Sequence, residues 1–188
     1  MKRNLFAIIL SLFIFQVAMA QQPTPTPTTS PVKEANPADV SSIDAIMKAV
    51  YDVISGDAAQ KRDWDRFRSL FHRDARLIPS GKNPRTGMTG ARAYTAEQYI
   101  TGSEPLMEKE GFFEKEIGRR TEIYGTMATI FSTYASYHKP DDKEPFERGI
   151  NSFQLLFDGK RWWVMNIYWL GETKENPIPK QYLKTKKN

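Results

Sequence analysis

The sequence predicts an α+β domain in which a cone-shaped, curved antiparallel sheet wraps around helices that precede it in the chain. Apolar residues recur at helical spacing up to about residue 109, and long segments that alternate like strands follow from residue 112. Helices that come first and strands that come later are typical of helices packed on one face of an antiparallel sheet. The Asp158-Gly159 pair between two strand-like segments marks a hairpin and supports the same class.

Three helices are predicted before the sheet. The first covers residues 41–55, where five apolar side chains share one face and a serine caps the start. The second covers residues 63–71, and the third covers residues 95–109 with a glycine and a proline near its middle. Between these two helices the pattern predicts a short strand at 76–78, followed by a loop rich in glycine and proline.

Four long strands then form a predicted meander. They cover residues 112–124, 127–138, 147–157 and 161–170. Turns at Gly125-Thr126 and Asp158-Gly159 join the outer pairs, and a charged segment with two prolines, 139–146, joins the middle pair. Because such a sheet leaves a cone open at one end, we expect any ligand to bind at the mouth of that cone.

The first twenty residues predict export. Two basic residues are followed by an apolar run over 5–17, and Ala18-Met19-Ala20 supplies small residues before Gln21, as a signal-peptide cleavage site requires. A membrane anchor is the alternative, but the run is shorter than the roughly 20 residues that a spanning helix needs. We therefore expect an exported protein, periplasmic or secreted, with no stable membrane anchor after cleavage.

Composition divides the rest of the chain into three parts. Residues 21–37 are rich in Pro and Thr and predict a linker, 38–175 hold the domain, and 176–188 form a basic C-terminal tail. The chain has no cysteine, which excludes a lipobox-type lipoprotein and thiol chemistry. Its net charge is +5, but acidic and basic residues are mixed throughout. This mixture does not predict a nucleic-acid-binding surface.

The order of elements and three local motifs resemble the nuclear-transport-factor-2-like superfamily, which includes SnoaL-like polyketide cyclases and steroid-isomerase-like proteins. The motifs are Leu70–Ala75, Arg148–Leu155 and Asp158–Val164, and the resemblance covers about residues 39–172. A further segment, Asn176–Leu183, looks like exported bacterial members with no assigned activity. The resemblance implies a conical fold, a pocket between sheet and helices, and pairing of two copies through the outer face of the sheet. It implies no single activity.

Several chemistries lack the residues they would need. In the steroid-isomerase-like branch the general base is an aspartate on the first strand, whereas residues 76–80 of this chain contain no carboxylate. The sequence also has no paired histidines at metal-binding spacing and no glycine-rich phosphate loop. We therefore predict neither a metal nor a cofactor.

Two residues are predicted as acid–base candidates, His72 and Tyr134. His72 ends the second helix near the expected pocket rim, and a histidine is the obvious acid–base group near neutral pH; the alternative is a histidine that interacts with the helix dipole and the last carbonyl groups. His138 and the pair Glu114 and Glu116 are expected on solvated surfaces, with a carboxylate pair as the alternative for the two glutamates.

Strand alternation predicts a set of ligand-binding residues. If the chosen faces point toward the helices, aromatic side chains and a few polar groups line the cone, which suits a small amphipathic ligand. Arg148 would pair with a carboxylate or phosphate of that ligand. The alternative is a packed core. The predicted ligand-binding residues are Ser132, Arg148, Ser152, Gln154, Trp163 and Trp169.

The sequence therefore predicts an exported domain that binds a small organic molecule or a partner through its cone and pairs as a homodimer. The alternative is a cofactor-free enzyme of the polyketide-cyclase, dehydratase or hydrolase kind. In that case His72 and Tyr134 would transfer protons, and Arg148 would orient an anionic substrate.

Overall fold

The computed structural model describes residues 34–183. The predicted signal peptide, most of the predicted linker and the last five residues lie outside the described residues, so export and cleavage stay predictions. Within residues 34–183, no helix combines the length and apolar character that crossing a membrane requires.

The helices begin where capping side chains satisfy free backbone amides. They are α1 (Pro37–Val40), α2 (Ile43–Ile54), α3 (Trp64–Leu70) and α4 (Ala96–Glu110). Ser42 Oγ accepts a hydrogen bond from the Ala45 amide at 3.1 Å, and Thr95 and Gln98 cap the start of α4 reciprocally. The three predicted helices are confirmed to within two residues, and α1 is an addition.

The strands form one six-stranded sheet. They are β1 (Phe71–Lys82), β2 (Thr89–Ala91), β3 (Phe113–Tyr124), β4 (Met127–Tyr137), β5 (Glu147–Phe157) and β6 (Trp162–Gly171). Their order across the sheet is β2-β1-β6-β5-β4-β3. The four long strands of the meander are confirmed, and the sheet is curved without closing into a barrel.

The first strand differs most from its prediction. It extends over twelve residues rather than 76–78, and it pairs with β6 in parallel, so the sheet is mixed rather than wholly antiparallel. Pro79 and Gly81 gave this segment the local pattern of a loop. Its strand conformation comes from distant partners, because Pro79 lies opposite Trp169 and Gly81 lies opposite Gly90.

The hydrophobic core lies between the helices and the concave face of the sheet. Phe67 of α3 and Met47 of α2 are fully buried there, as are Ile130 and Phe153, which face each other across β4 and β5. Directly opposed residues share a face of the sheet, so this pairing fixes which side chains of the two strands point toward the helices.

A short 3₁₀ helix, Lys180–Tyr182, packs on the opposite, convex face. The Thr133 hydroxyl donates to the Tyr182 carbonyl oxygen at 2.6 Å, and the Tyr182 ring lies 5.7 Å from that of Phe131. Residues 176–188 were predicted as a tail outside the domain. Part of this segment instead covers the outer face, where Gly118 allows close backbone approach.

Candidate functional site

A cavity of about 420 Å³ lies between the concave face of the sheet and the helices α2, α3 and α4. Most of its wall is apolar or aromatic. The main apolar lining side chains are Val50, Phe67, Tyr99, Phe112, Ile167 and Trp169. The Tyr99 ring stacks on Phe67 at 5.6 Å and meets the Trp169 ring edge-on at 6.3 Å, so the three aromatic side chains form a continuous part of the wall. A cavity of this size can enclose a small organic molecule.

Glu114 of β3 supplies a carboxyl group to this cavity. Its Oε2 accepts a hydrogen bond from Ser136 Oγ at 3.0 Å, and its Oε1 accepts one from Asn151 Nδ2 at 3.2 Å. Burial raises the pKa of Glu114 to about 7, the two hydrogen bonds oppose that rise, and the nearby Glu147 carboxylate adds to it. The group therefore gains and loses its proton near neutral pH.

Tyr134 and Glu147 form a second polar pair in the cavity wall. The Tyr134 hydroxyl donates to Glu147 Oε1 at 2.7 Å, and burial raises the pKa of the tyrosine, so it remains a donor at neutral pH. Gly149 lies opposite Tyr134, where a Cβ atom would come within 2.5 Å of the hydroxyl oxygen. The glycine therefore leaves the space that the tyrosine ring occupies.

A chain of hydrogen bonds behind the cavity orients Asn151. The Asn151 amide donates to the Tyr51 hydroxyl at 3.2 Å, and the Tyr51 and Ser132 hydroxyls are 2.7 Å apart. Ser132 in turn donates to the Glu116 carboxylate, which Arg119 also binds. Because Ser132 donates to the carboxylate of an ion pair, it must accept from Tyr51, and Tyr51 in turn accepts from Asn151. The Asn151 amide is thereby held in the orientation that also donates to Glu114.

The cavity mouth is bordered by His138 and Phe146. Their rings stack at 4.3 Å and an angle of 19°, and His138 Nδ1 lies 3.3 Å from the Gly111 carbonyl oxygen. Both residues line the cavity at the ends of the segment 139–146. His138 was expected on a solvated surface, whereas here it is partly buried at the rim.

The structure brings only part of the predicted site together. Tyr134 and Trp169 line the cavity, and Ser132 is buried one layer behind it. His72 lies outside at the start of β1, where its Nδ1 accepts from the Asp74 amide at 3.2 Å and its ring meets Trp163 edge-on. The prediction that His72 borders the pocket is therefore wrong.

Strand register explains why three predicted residues of β5 miss the cavity. Tyr134 lies opposite Gly149, and Ser132 lies opposite Asn151, so the inward face of β5 carries these odd-numbered positions. The outward face carries the predicted residues, Arg148, Ser152 and Gln154. Arg148 there binds Glu172 at 2.7 Å rather than facing a ligand.

A β-bulge separates the two predicted tryptophans. Period-two alternation places Trp163 and Trp169 on one face, but the register of β6 shifts at Met165. As a result Trp169 lies opposite the inward Asn151, while Trp163 lies opposite Leu156 on the outer face. The prediction is therefore right for Trp169 and wrong for Trp163.

A second β-bulge, in β3, explains why alternation did not predict Glu114 as a cavity residue. Counting from the 125–126 turn places Lys115 opposite Ser136 and leaves Glu114 on the outer face. The register shift at Ile117 instead places Glu114 opposite Ser136, inside the cavity. Glu147 and Asn151 were missed because the inward face of β5 was assigned incorrectly. Among the described residues, no group of three or more acidic or histidine side chains is placed to hold a metal ion.

Comparison with known proteins is informative about the fold. No protein-family model matches the sequence, and no curated protein matches it significantly. A protein of unknown function with a cystatin-like fold from Nostoc punctiforme superposes with a TM-score of 0.52 at 12% identity, covering 70% of this chain and 90% of that one. An uncharacterized protein with a cystatin-like fold from Caulobacter vibrioides gives 0.51 at 13% identity, covering 72% and 90%.

An NTF-2 like protein of unknown function from Silicibacter pomeroyi is also among the matches, with a TM-score of 0.47 at 10% identity, covering 70% of this chain and 94% of that one. Likenesses at such low identity concern the fold alone. The first two structures share the architecture found here, so the predicted α+β fold with a curved sheet around helices is confirmed.

Proposed function

We propose that this protein is exported and that its cavity binds a small, largely apolar organic molecule. The observation that carries the proposal is the cavity of about 420 Å³, which has aromatic walls and a carboxyl group, Glu114, at its inner surface. Apolar walls with a few convergent polar groups are what a small-molecule site requires. The pattern of residues 1–20 supports export.

The polar groups of the cavity favour binding over a filled core, the alternative that the sequence left open. Burying a carboxyl group costs free energy that an apolar side chain would not. The chain nevertheless places the largely buried Glu114 in the cavity wall and orients Asn151 toward it, while Glu147 lies at the exposed edge. A buried carboxyl group is therefore better explained by contact with a ligand than by packing of a filled core.

A cofactor-free enzyme is the second candidate. The observation that favours it is the pKa of Glu114, which burial raises to about 7, so that this carboxyl could accept a proton from a substrate and return it. In this candidate Glu114 takes the acid–base role that the sequence assigned to His72, and Tyr134 remains a donor beside it.

The binding proposal is tested by a thermal-shift screen of the purified protein against small metabolites, followed by calorimetry of each hit. A ligand that binds only the folded state raises the melting temperature. Ser103 lines the cavity on α4, so Ser103→Trp should fill the cavity and abolish the shift. Thr101→Trp adds the same ring on an exposed turn of the same helix and should keep it.

Two outcomes would count against binding in the cavity. One is a hit that Ser103→Trp leaves unchanged, because that ligand would bind elsewhere. The other is the absence of any hit from a well-folded sample. Turnover of a hit, lost in Glu114→Gln while its binding persists, would favour the enzyme.

The expected pairing of two copies through the outer face of the sheet stays a prediction. Light scattering of the purified protein tests it. A mass of two chains would agree with the expectation, and a mass of one chain at high concentration would contradict it.

A further inference from the structure

The charged groups around the cavity have one sign. Three glutamates, Glu110, Glu114 and Glu147, are among the described residues that line it, and none of those lining residues is a lysine or an arginine. His138 at the mouth is the remaining ionisable nitrogen in the lining. A ligand in this cavity therefore meets carboxyl groups and no fixed positive charge.

Three arginines of the domain that lie outside the lining bind other partners. Arg148 pairs with Glu172 on the outer face, and Arg119 binds Glu116 behind the cavity. Arg62 donates its Nε hydrogen to the Ile54 carbonyl oxygen at 3.0 Å. Glu110 and Glu147 lie at the exposed edge of the cavity, and Glu110 is 3.7 Å from Lys109 Nζ. Glu114 is the largely buried member, and its partners are the neutral side chains of Ser136 and Asn151. A carboxylate that is shielded from bulk water favours a cation and repels an anion more strongly than an exposed one does.

The aromatic wall adds to this preference. Tyr99 and Trp169 lie in the lining together with Phe112 and Phe146. The faces of such rings attract cations as well as apolar groups, and the attraction is stronger where water is excluded. The cavity thus suits a ligand that combines an apolar group with a positively charged group.

We infer that the ligand of this cavity is a hydrophobic amine, with an aromatic or cyclic body against Tyr99 and Trp169 and an ammonium group facing Glu114 and Glu147. The inference rests on the proposed function, because it specifies the ligand of the same cavity. It reverses the charge expected from the sequence, where Arg148 was to bind an anion.

The affinity for an amine should depend on pH. The titratable groups that face Glu114 are Glu147 from β5, Tyr134 from β4, Tyr99 from α4 and Tyr51 from α2, and Glu110 and His138 line the same cavity. Burial raises the pKa values of the three tyrosines, so they stay neutral below pH 8. Since the pKa of Glu114 is about 7, its carboxyl is ionised at pH 8 and mostly protonated at pH 6. Protonation removes its attraction for an ammonium group, and amine binding should weaken about tenfold over this range.

Calorimetry with three matched probes tests the inference on the purified protein. The probes are 2-(2-naphthyl)ethylamine, 2-(2-naphthyl)ethanol and the anion of 2-naphthaleneacetic acid (the acetate). They share one naphthyl group and are positive, neutral and negative. At pH 8 we expect the amine to bind at least about tenfold more tightly than the alcohol, and the acetate to bind most weakly.

The variants identify the group responsible. Glu114→Gln keeps a side chain of the same shape, and it should remove most of the preference for the amine. Glu122→Gln on the outer face of β3 is the matched control and should keep that preference. If Glu114→Gln proves unstable, Glu147→Gln should reduce the same preference.

The outcomes separate this inference from the proposed function. Binding of the alcohol or the acetate as tightly as the amine would overturn the amine assignment while supporting a ligand-binding cavity. Failure of all three probes to bind would overturn the amine inference, whereas the proposed function fails only if the metabolite screen also yields no ligand that Ser103→Trp displaces. A preference for the amine that survives in both Glu114→Gln and Glu147→Gln would also contradict the inference.

Discussion

The carboxyl of Glu114 experiences opposing effects, and its pKa records their balance. Burial favours the neutral acid, whereas Ser136 and Asn151 donate hydrogen bonds that favour the carboxylate. The result, a pKa of about 7 instead of 4.5, means that the folded protein binds more protons than the unfolded chain between these two values. Stability should therefore decrease as pH rises from about 4.5 to 7.

We predict that Glu114→Gln removes this pH dependence. The free energy of unfolding of the variant should exceed that of the wild type increasingly between pH 5 and pH 8, by on the order of 3 kcal/mol at the upper end. Denaturant titrations of both proteins at several pH values measure the difference. Curves that run parallel across this range would show that Glu114 has an ordinary pKa.

Other ionisable groups do not account for the expected difference between the wild type and Glu114→Gln. Hydrogen bonds from arginine partners lower the pKa values of Asp39 and Glu97, so their stabilising contributions are lost only at lower pH. The remaining ionisable groups are present in both proteins, so their contributions are common to the two curves.

At the scale of the elements, local sequence patterns were enough to predict three helices and the four long strands. Apolar periodicity and capping residues located α2, α3 and α4, and turn residues located the four long strands. β1 was missed because Pro79 and Gly81 look like loop residues, and its strand conformation depends on partners far along the chain. The bulges at Ile117 and Met165 have no clear sequence signal, yet each one decides which side chains enter the cavity.

Gly149 shows how one strand position supports the site. A Cβ atom there would lie 2.4 Å from the Leu170 carbonyl oxygen and 2.5 Å from the Tyr134 hydroxyl. We predict that Gly149→Ala lowers the free energy of unfolding by about 2–3 kcal/mol, because β6 or the tyrosine must move. Denaturant unfolding measures the loss.

Gly90→Ala is the matched control for this substitution. Gly90 also lies in a strand, but a Cβ atom there meets nothing within 4 Å. Its effect should stay within about 0.5 kcal/mol. Equal effects of the two substitutions would contradict the close approach around Gly149.

At the scale of the whole molecule, the fold was predictable and the cavity was predictable only in part. The order of helices and strands fixes the architecture, and Tyr134 and Trp169 were placed in the cavity from alternation alone. The chemistry of the cavity was not predictable, because Glu114 enters it through a bulge and Glu147 through a strand register. Register is set by packing across the sheet, which a single sequence does not display.

The predicted export concerns the whole chain, and its test is independent of the cavity. We predict that the mature protein begins at Gln21, because Ala18 and Ala20 supply the small residues that a signal peptidase requires. Mass spectrometry of the protein recovered from its natural compartment measures the N-terminus. Recovery of the protein with residues 1–20 retained would contradict cleavage at this site.

The central claim is that a ligand occupies the cavity between Trp169 and Glu114. A crystal structure of the protein in complex with the tightest-binding small molecule tests it most directly. We predict that the molecule lies inside the cavity, with its apolar body against Tyr99 and Trp169 and a polar atom within hydrogen-bond distance of Glu114. A molecule bound on the outer face, with the cavity empty or closed by its own side chains, would contradict the account.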